Sequence, residues 1–110
     1  MRSSRSDVEK ILEDMRNAWR MNKIVLIPRK KNMDTLALMG LLPSDAQEAM
    51  CGLTYSDYVK GPEEDRDDPL SDRLWVFKMK LDNQIIYIKF KILYQMDGSV
   101  KTLSFHIDET

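Results

Sequence analysis

Tyr87, Lys89 and Lys91 stand at alternate positions of one β-rich run, and Lys78, Ser104 and His106 fall in the two runs beside it. A strand sends every second side chain to the same face. Paired, these runs would collect on one sheet face the only histidine of the chain, three lysines and a tyrosine. Lysine stabilises charge on a phosphorane, and tyrosine, histidine or lysine can give and take protons. That set suits metal-free RNA cleavage, in which the ribose 2′-hydroxyl attacks the neighbouring phosphate and the leaving oxygen is protonated. A solvated sheet face whose lysines only keep it soluble has the same spacing, and for His106 a structural role is equally open.

Other chemistries find little support. One histidine and one cysteine, Cys51, exclude an internal disulfide and leave no ligand set for zinc. Cys51 beside Met50 reads as a buried structural thiol. The four glycines are isolated, so no phosphate-cradling loop is present. No metal or cofactor is expected. No apolar run approaches a membrane span and residues 1–5 lack a leader's apolar stretch, so a cytoplasmic protein without membrane contact is expected.

The elements that must position this face follow from spacing. Ser6 and Glu9 read as a capping box. Val8, Ile11, Leu12, Met15 and Trp19 form one helical stripe ending near Asn22. A brief strand is expected at 24–27, then a basic turn, Arg29-Lys30-Lys31-Asn32. Asn32 or Asp34 would cap a short helix to Met39, stopped by Gly40. Ser44 and Gln47 read as the cap of another helix over 46–51, with one more turn through Tyr55, Tyr58 and Val59. Residues 73–80, 84–94 and 100–107 read as strands. Asp82-Asn83 and Asp97-Gly98 between them read as two-residue turns.

Those turns set a register. Trp75 faces Phe90, Phe77 faces Ile88 and Met79 faces Ile86. Across the second turn Phe90 faces Phe105, Ile88 faces Ile107 and Ile92 faces Leu103. Large apolar residues then share one face against the helices. Lys78, Tyr87, Lys89, Lys91, Thr102, Ser104 and His106 share the other, where Lys89 meets His106 and Lys91 meets Ser104. Trp19 and Trp75 read as core.

Net charge is −1, but it is segregated. Residues 61–72 hold six acids and one base, and the remainder carries 16 bases against 12 acids, a net of +4. A near-neutral total therefore does not exclude a polyanion ligand. The acidic stretch, with Gly61, Pro62 and Pro69, reads as a solvated loop, and Glu63 or Asp65 could shade the basic face.

Residues 36–41, LALMGL, and 50–60, MCGLTYSDYVK, resemble the middle of the MqsR family of toxins. Trp75-Val76-Phe77 and Ile86-Tyr87-Ile88-Lys89 are similar to that family's tryptophan strand and tyrosine-bearing strand. The loop at 61–65 and the ending Leu103-Ser104-Phe105-His106 look like a branch with a longer acidic loop. The resemblance spans roughly 34–107. It implies a RelE-like fold and a messenger-RNA endoribonuclease, the toxin of a type II pair restrained by a cognate antitoxin protein. It implies a catalytic lysine at Lys60 and a catalytic tyrosine at Tyr87. The glutamine that follows the tryptophan in that family is Val76 here, and Arg73, Lys89 or His106 would have to supply its part.

The expectation is thus one α+β domain over 1–110, a twisted antiparallel sheet with a C-terminal three-stranded meander on N-terminal helices. Lys60, Tyr87, His106 and Lys89 are the catalytic candidates. Arg29, Lys30, Lys31, Arg73, Lys78 and Lys91 are the candidates for holding an RNA backbone. The alternative is a non-catalytic RNA- or protein-binding module. Nothing in the sequence decides the oligomeric state.

Overall fold

The first helix, α1 (Arg5–Arg20), starts two residues earlier than the Ser6 box implies: Ser4 is the cap, and its hydroxyl accepts the Asp7 N–H at 3.2 Å. Its buried stripe is Val8, Ile11, Leu12, Met15 and Ala18. Trp19 falls one position off that stripe and is exposed, a correction to its reading as core. The computed structural model describes residues 2–109.

After α1 come β1 (Ile24–Leu26), α2 (Lys30–Met39) and α3 (Pro43–Met50). Arg29 is the N-cap of α2, so the expected basic turn is the first turn of that helix. Gly40, at φ +68, closes α2 in the left-handed conformation that glycine adopts without strain. Pro43 opens α3 at its first position, and the Asp45 carboxylate accepts the Leu42 N–H at 2.8 Å. Ser44 and Gln47 therefore form no cap. Gln47 instead donates to Ile24 O, tying α3 to β1.

Among the described residues, three α-helices and five strands make an α+β fold with a mixed sheet. A 3₁₀ turn (Tyr55–Asp57) leads into β2 (Tyr58–Glu63), then β3 (Leu74–Leu81), β4 (Gln84–Ile92) and β5 (Val100–Ile107). The strand order is β1-β5-β4-β3-β2, with β1 parallel to β5 and the other pairs antiparallel. The all-antiparallel expectation fails at β1. Strand β2 was hidden by its Gly61-Pro62, which reads as a loop. An edge strand tolerates proline, and β2 pairs with β3 through two register shifts. Gly61 is required there, since a Cβ would lie 2.9 Å from Leu74 O.

Asp82 and Asn83 both have positive φ, 48° and 66°, and form the two-residue turn. The β3–β4 register is as expected. The β4–β5 register is not. Residues 93–99 form a longer loop, closed by Leu93 N–H to Ser99 O at 2.8 Å, so the Asp97-Gly98 hairpin does not form. The pairing shifts: Tyr87 meets His106, Ile88 meets Phe105 and Lys89 meets Ser104. Leu103 then bulges, because Phe90 meets Thr102 and Lys91 meets Lys101. The two-residue shift preserves which side each outer residue faces. The bulge turns Thr102 into the core, where its hydroxyl donates to Met50 Sδ at 3.4 Å.

Phe77, Phe90, Phe105, Ile86 and Ile88 are fully buried with Val8, Leu12 and Met15 of α1. Phe77 and Phe90 stack at 5.6 Å. Side chains close the β2 edge and the stretch of β5 that extends beyond the short β1. Asn32 donates to Leu103 O and accepts from Phe105 N–H, and the Thr35 hydroxyl accepts the Ile107 N–H. Asn32 thus satisfies the β5 edge and caps nothing. At β2, Arg2 and Ser3 donate to Val59 O and Gly61 O. Such coverage blocks pairing with another chain. No helix among the described residues is long and apolar enough to cross a membrane.

Candidate active site

Cross-strand rows place the site. Tyr87 pairs with Lys78 on β3 and His106 on β5, and the next row joins Lys60, Val76, Lys89 and Ser104 across β2, β3, β4 and β5. Tyr87, Lys89 and His106 therefore share the face away from α1, as expected. Tyr87 and His106 stack with ring centroids 5.4 Å apart, and His106 Nδ1 lies 3.0 Å from Ile107 O.

A cavity of about 480 Å³ opens on this face. Lys60, Tyr87, Lys89 and Arg29 line it, from three separate parts of the chain, over a floor that includes Leu74 and Leu103. The bulge at Leu103 is what brings that side chain under the cavity. The end of β2 and the acidic loop also line it: Glu63, Glu64, Asp65, Arg66 and Asp67.

The loop is pinned by one buried ion pair. Lys91 Nζ donates to Asp65 Oδ2 at 2.8 Å and to Ser71 Oγ at 2.8 Å, and its side chain is 3% exposed. The hydrogen bond from Lys91 holds the Asp65 carboxyl below its ordinary value, opposed by burial and helped by the Asp67 N–H. Farther out, Lys60 lies 3.5 Å from Glu63 and Arg29 lies 4.0 Å from Asp67. These outer pairs are solvent-exposed and weak.

The remaining candidates do not line the cavity. Lys91 has its charge committed inside the protein, so it is no surface contact for a phosphate. Arg73 lies at a recess lined by Asp7 and Lys10 of α1, away from the cavity. Lys30 pairs with Asp34 at 2.6 Å and Lys31 with Glu109 at 3.2 Å. Lys78 pairs with Asp108 at 2.9 Å. His106 touches the site through Tyr87 and itself lines a different recess with Lys31, Thr35 and Leu38.

No family model, curated protein or solved structure matches this chain. The site's own geometry carries what can be said of its chemistry. Four cations, Arg29, Lys60, Arg66 and Lys89, meet a phenol and four carboxylates on a concave surface large enough for a nucleotide-sized group. The acidic wall is what sequence reasoning treated as mainly solvated. The signal was there: residues 64–73 connect two neighbouring antiparallel strands, so they cannot leave that edge of the sheet. Without β2 that constraint was invisible.

Proposed function

We propose that this chain is a metal-independent messenger-RNA endoribonuclease, the toxin of a type II toxin–antitoxin pair with a RelE-like fold, related to the MqsR toxins. The single observation that supports it is the convergence of Lys60, Tyr87, Lys89 and Arg29 on one cavity. Lys60 and Tyr87 are the two positions that the resemblance marks, and they come from different strands.

In this reading Arg29 and Lys89 hold the phosphate and Lys60 stabilises the charge that develops on it. The 2′-oxygen bonds to phosphorus, the bond from phosphorus to the 5′-oxygen breaks, and a 2′,3′-cyclic phosphate remains. The 2′-hydroxyl proton passes to solvent water as the bond to phosphorus forms, and the Tyr87 hydroxyl protonates the leaving oxygen. His106, stacked on Tyr87, orients the phenol. A cytoplasmic location and a cognate antitoxin partner go with this reading.

A non-catalytic binding module related to these toxins is the second reading. Val76, in the row between Lys60 and Lys89, is fully buried and offers no polar group where the toxins carry glutamine. Expression of the chain alone in a bacterium separates the two. The toxin stops growth and leaves cut transcripts, and Tyr87→Phe or Lys60→Ala relieves the arrest while the protein stays folded. Folded variants that stay fully toxic, or a wild type that leaves growth untouched, count against the nuclease.

A further inference from the structure

The rim of the cavity is already occupied by carboxylates of the same chain. Glu63 lies on Lys60 and Asp67 on Arg29, the cations assigned to the phosphate, and Glu64 lines the same wall. Their burial differs sharply from that of the loop's anchor. Asp65 and Lys91 side chains are 6% and 3% exposed, whereas those of Glu63 and Asp67 are 43% and 86% exposed. Separating a buried pair leaves an uncompensated charge inside the protein and is strongly opposed. Separating an exposed pair costs almost nothing, because water replaces the partner. The loop is therefore fixed at Asp65 and replaceable at the rim.

Resting on the RNA reading of this cavity, we infer that the exposed side chains of Glu63, at the end of β2, and of Glu64 and Asp67 in the loop form an autoinhibitory lid whose carboxylates stand in for phosphates. Glu63, Glu64 and Asp67 occupy the places that RNA phosphates take on Lys60, Arg29 and Lys89. RNA binds by displacing them, while the Asp65–Lys91 pair stays closed as the anchor. The charge pattern fits, since the chain outside residues 61–72 is net +4 and the loop brings the total to −1. The lid also accounts for a phosphate-binding face in a chain with no excess of positive charge.

The test is binding of a short fluorescein-labelled single-stranded RNA, followed by anisotropy, with wild type and with the Glu63→Gln, Glu64→Gln, Asp67→Asn triple variant. The triple variant binds about tenfold tighter at moderate salt, and the same three substitutions made in a Lys60→Gln, Arg29→Gln background give a clearly smaller gain. A triple variant no tighter than a wild type that does bind overturns the lid and leaves the RNA reading standing. An equal gain in that background is a bulk charge effect and also overturns it. If neither protein binds RNA at low salt, both the RNA reading and the lid fall.

Discussion

The two faces of the sheet are made by the same strands and held by different physics. On one, Phe77, Phe90, Phe105, Ile86 and Ile88 pack against α1 with no exposed surface. On the other, Lys89 and Tyr87 line a cavity and Lys91 is sealed under a loop by Asp65. Hydrophobic contact is non-directional, so alternation alone decides the first face. Charge pairing depends on which partner arrives, and here the partner comes from a loop joining two other strands.

That contrast can be broken from the apolar side first. Phe77→Ala removes a fully buried ring stacked on Phe90, and stability falls by about 3–5 kcal/mol in urea unfolding. A loss under about 1 kcal/mol would mean that the aromatic layer is not the core.

The charged face yields a slightly smaller loss, which a second substitution largely reverses. Asp65→Ala strands the Lys91 ammonium in a buried site and costs about 3 kcal/mol. Replacing both partners, Asp65→Leu with Lys91→Met, recovers most of that loss. If the double variant is as unstable as the single one, the damage comes from the loop's shape and not from an unpaired charge.

The same pair responds to pH. The folded Asp65 carboxyl titrates below its ordinary value. As pH falls below about 4, the unfolded chain takes up the proton before the folded one does. The pair's stabilisation is therefore complete above that pH and is lost as pH drops through the folded value. Urea unfolding at pH 6 and pH 3 shows a larger drop for wild type than for Asp65→Asn. Equal drops would place the acid sensitivity in other carboxylates.

The smallest effect belongs to the rim. Lys60→Ala removes a solvent-exposed pair with Glu63 and changes stability by under about 0.5 kcal/mol. A loss beyond about 1.5 kcal/mol would make Lys60 a structural residue and remove it from the site.

The apolar face was legible because its signal is local and redundant. The β3–β4 register followed from Asp82-Asn83, whose positive φ suits the turn it makes. The β4–β5 register was missed because Asp97-Gly98 gave a shorter turn than the loop that forms, and nothing in the sequence marked the Leu103 bulge. The basic face survived that error up to the bulge, where the slip was by two residues; beyond it Thr102 turned inward. Of the site, Tyr87 and Lys89 followed from alternation and Lys60 from a family resemblance. Lys91 alternates with them just as regularly, yet it is buried, because burial on that face depends on a distant loop. Asn32 and Thr35 read as helix-start and helix-body residues, while their work is to satisfy β5 backbone groups more than 70 positions away.

The most direct measurement is incubation of the purified protein with a defined single-stranded RNA in EDTA, followed by analysis of the 3′ ends. The account predicts cleavage leaving 2′,3′-cyclic phosphate, reduced about 10²–10⁴-fold in Tyr87→Phe and Lys60→Ala. Intact RNA with the wild type, or cleavage that both variants retain in full, would contradict it.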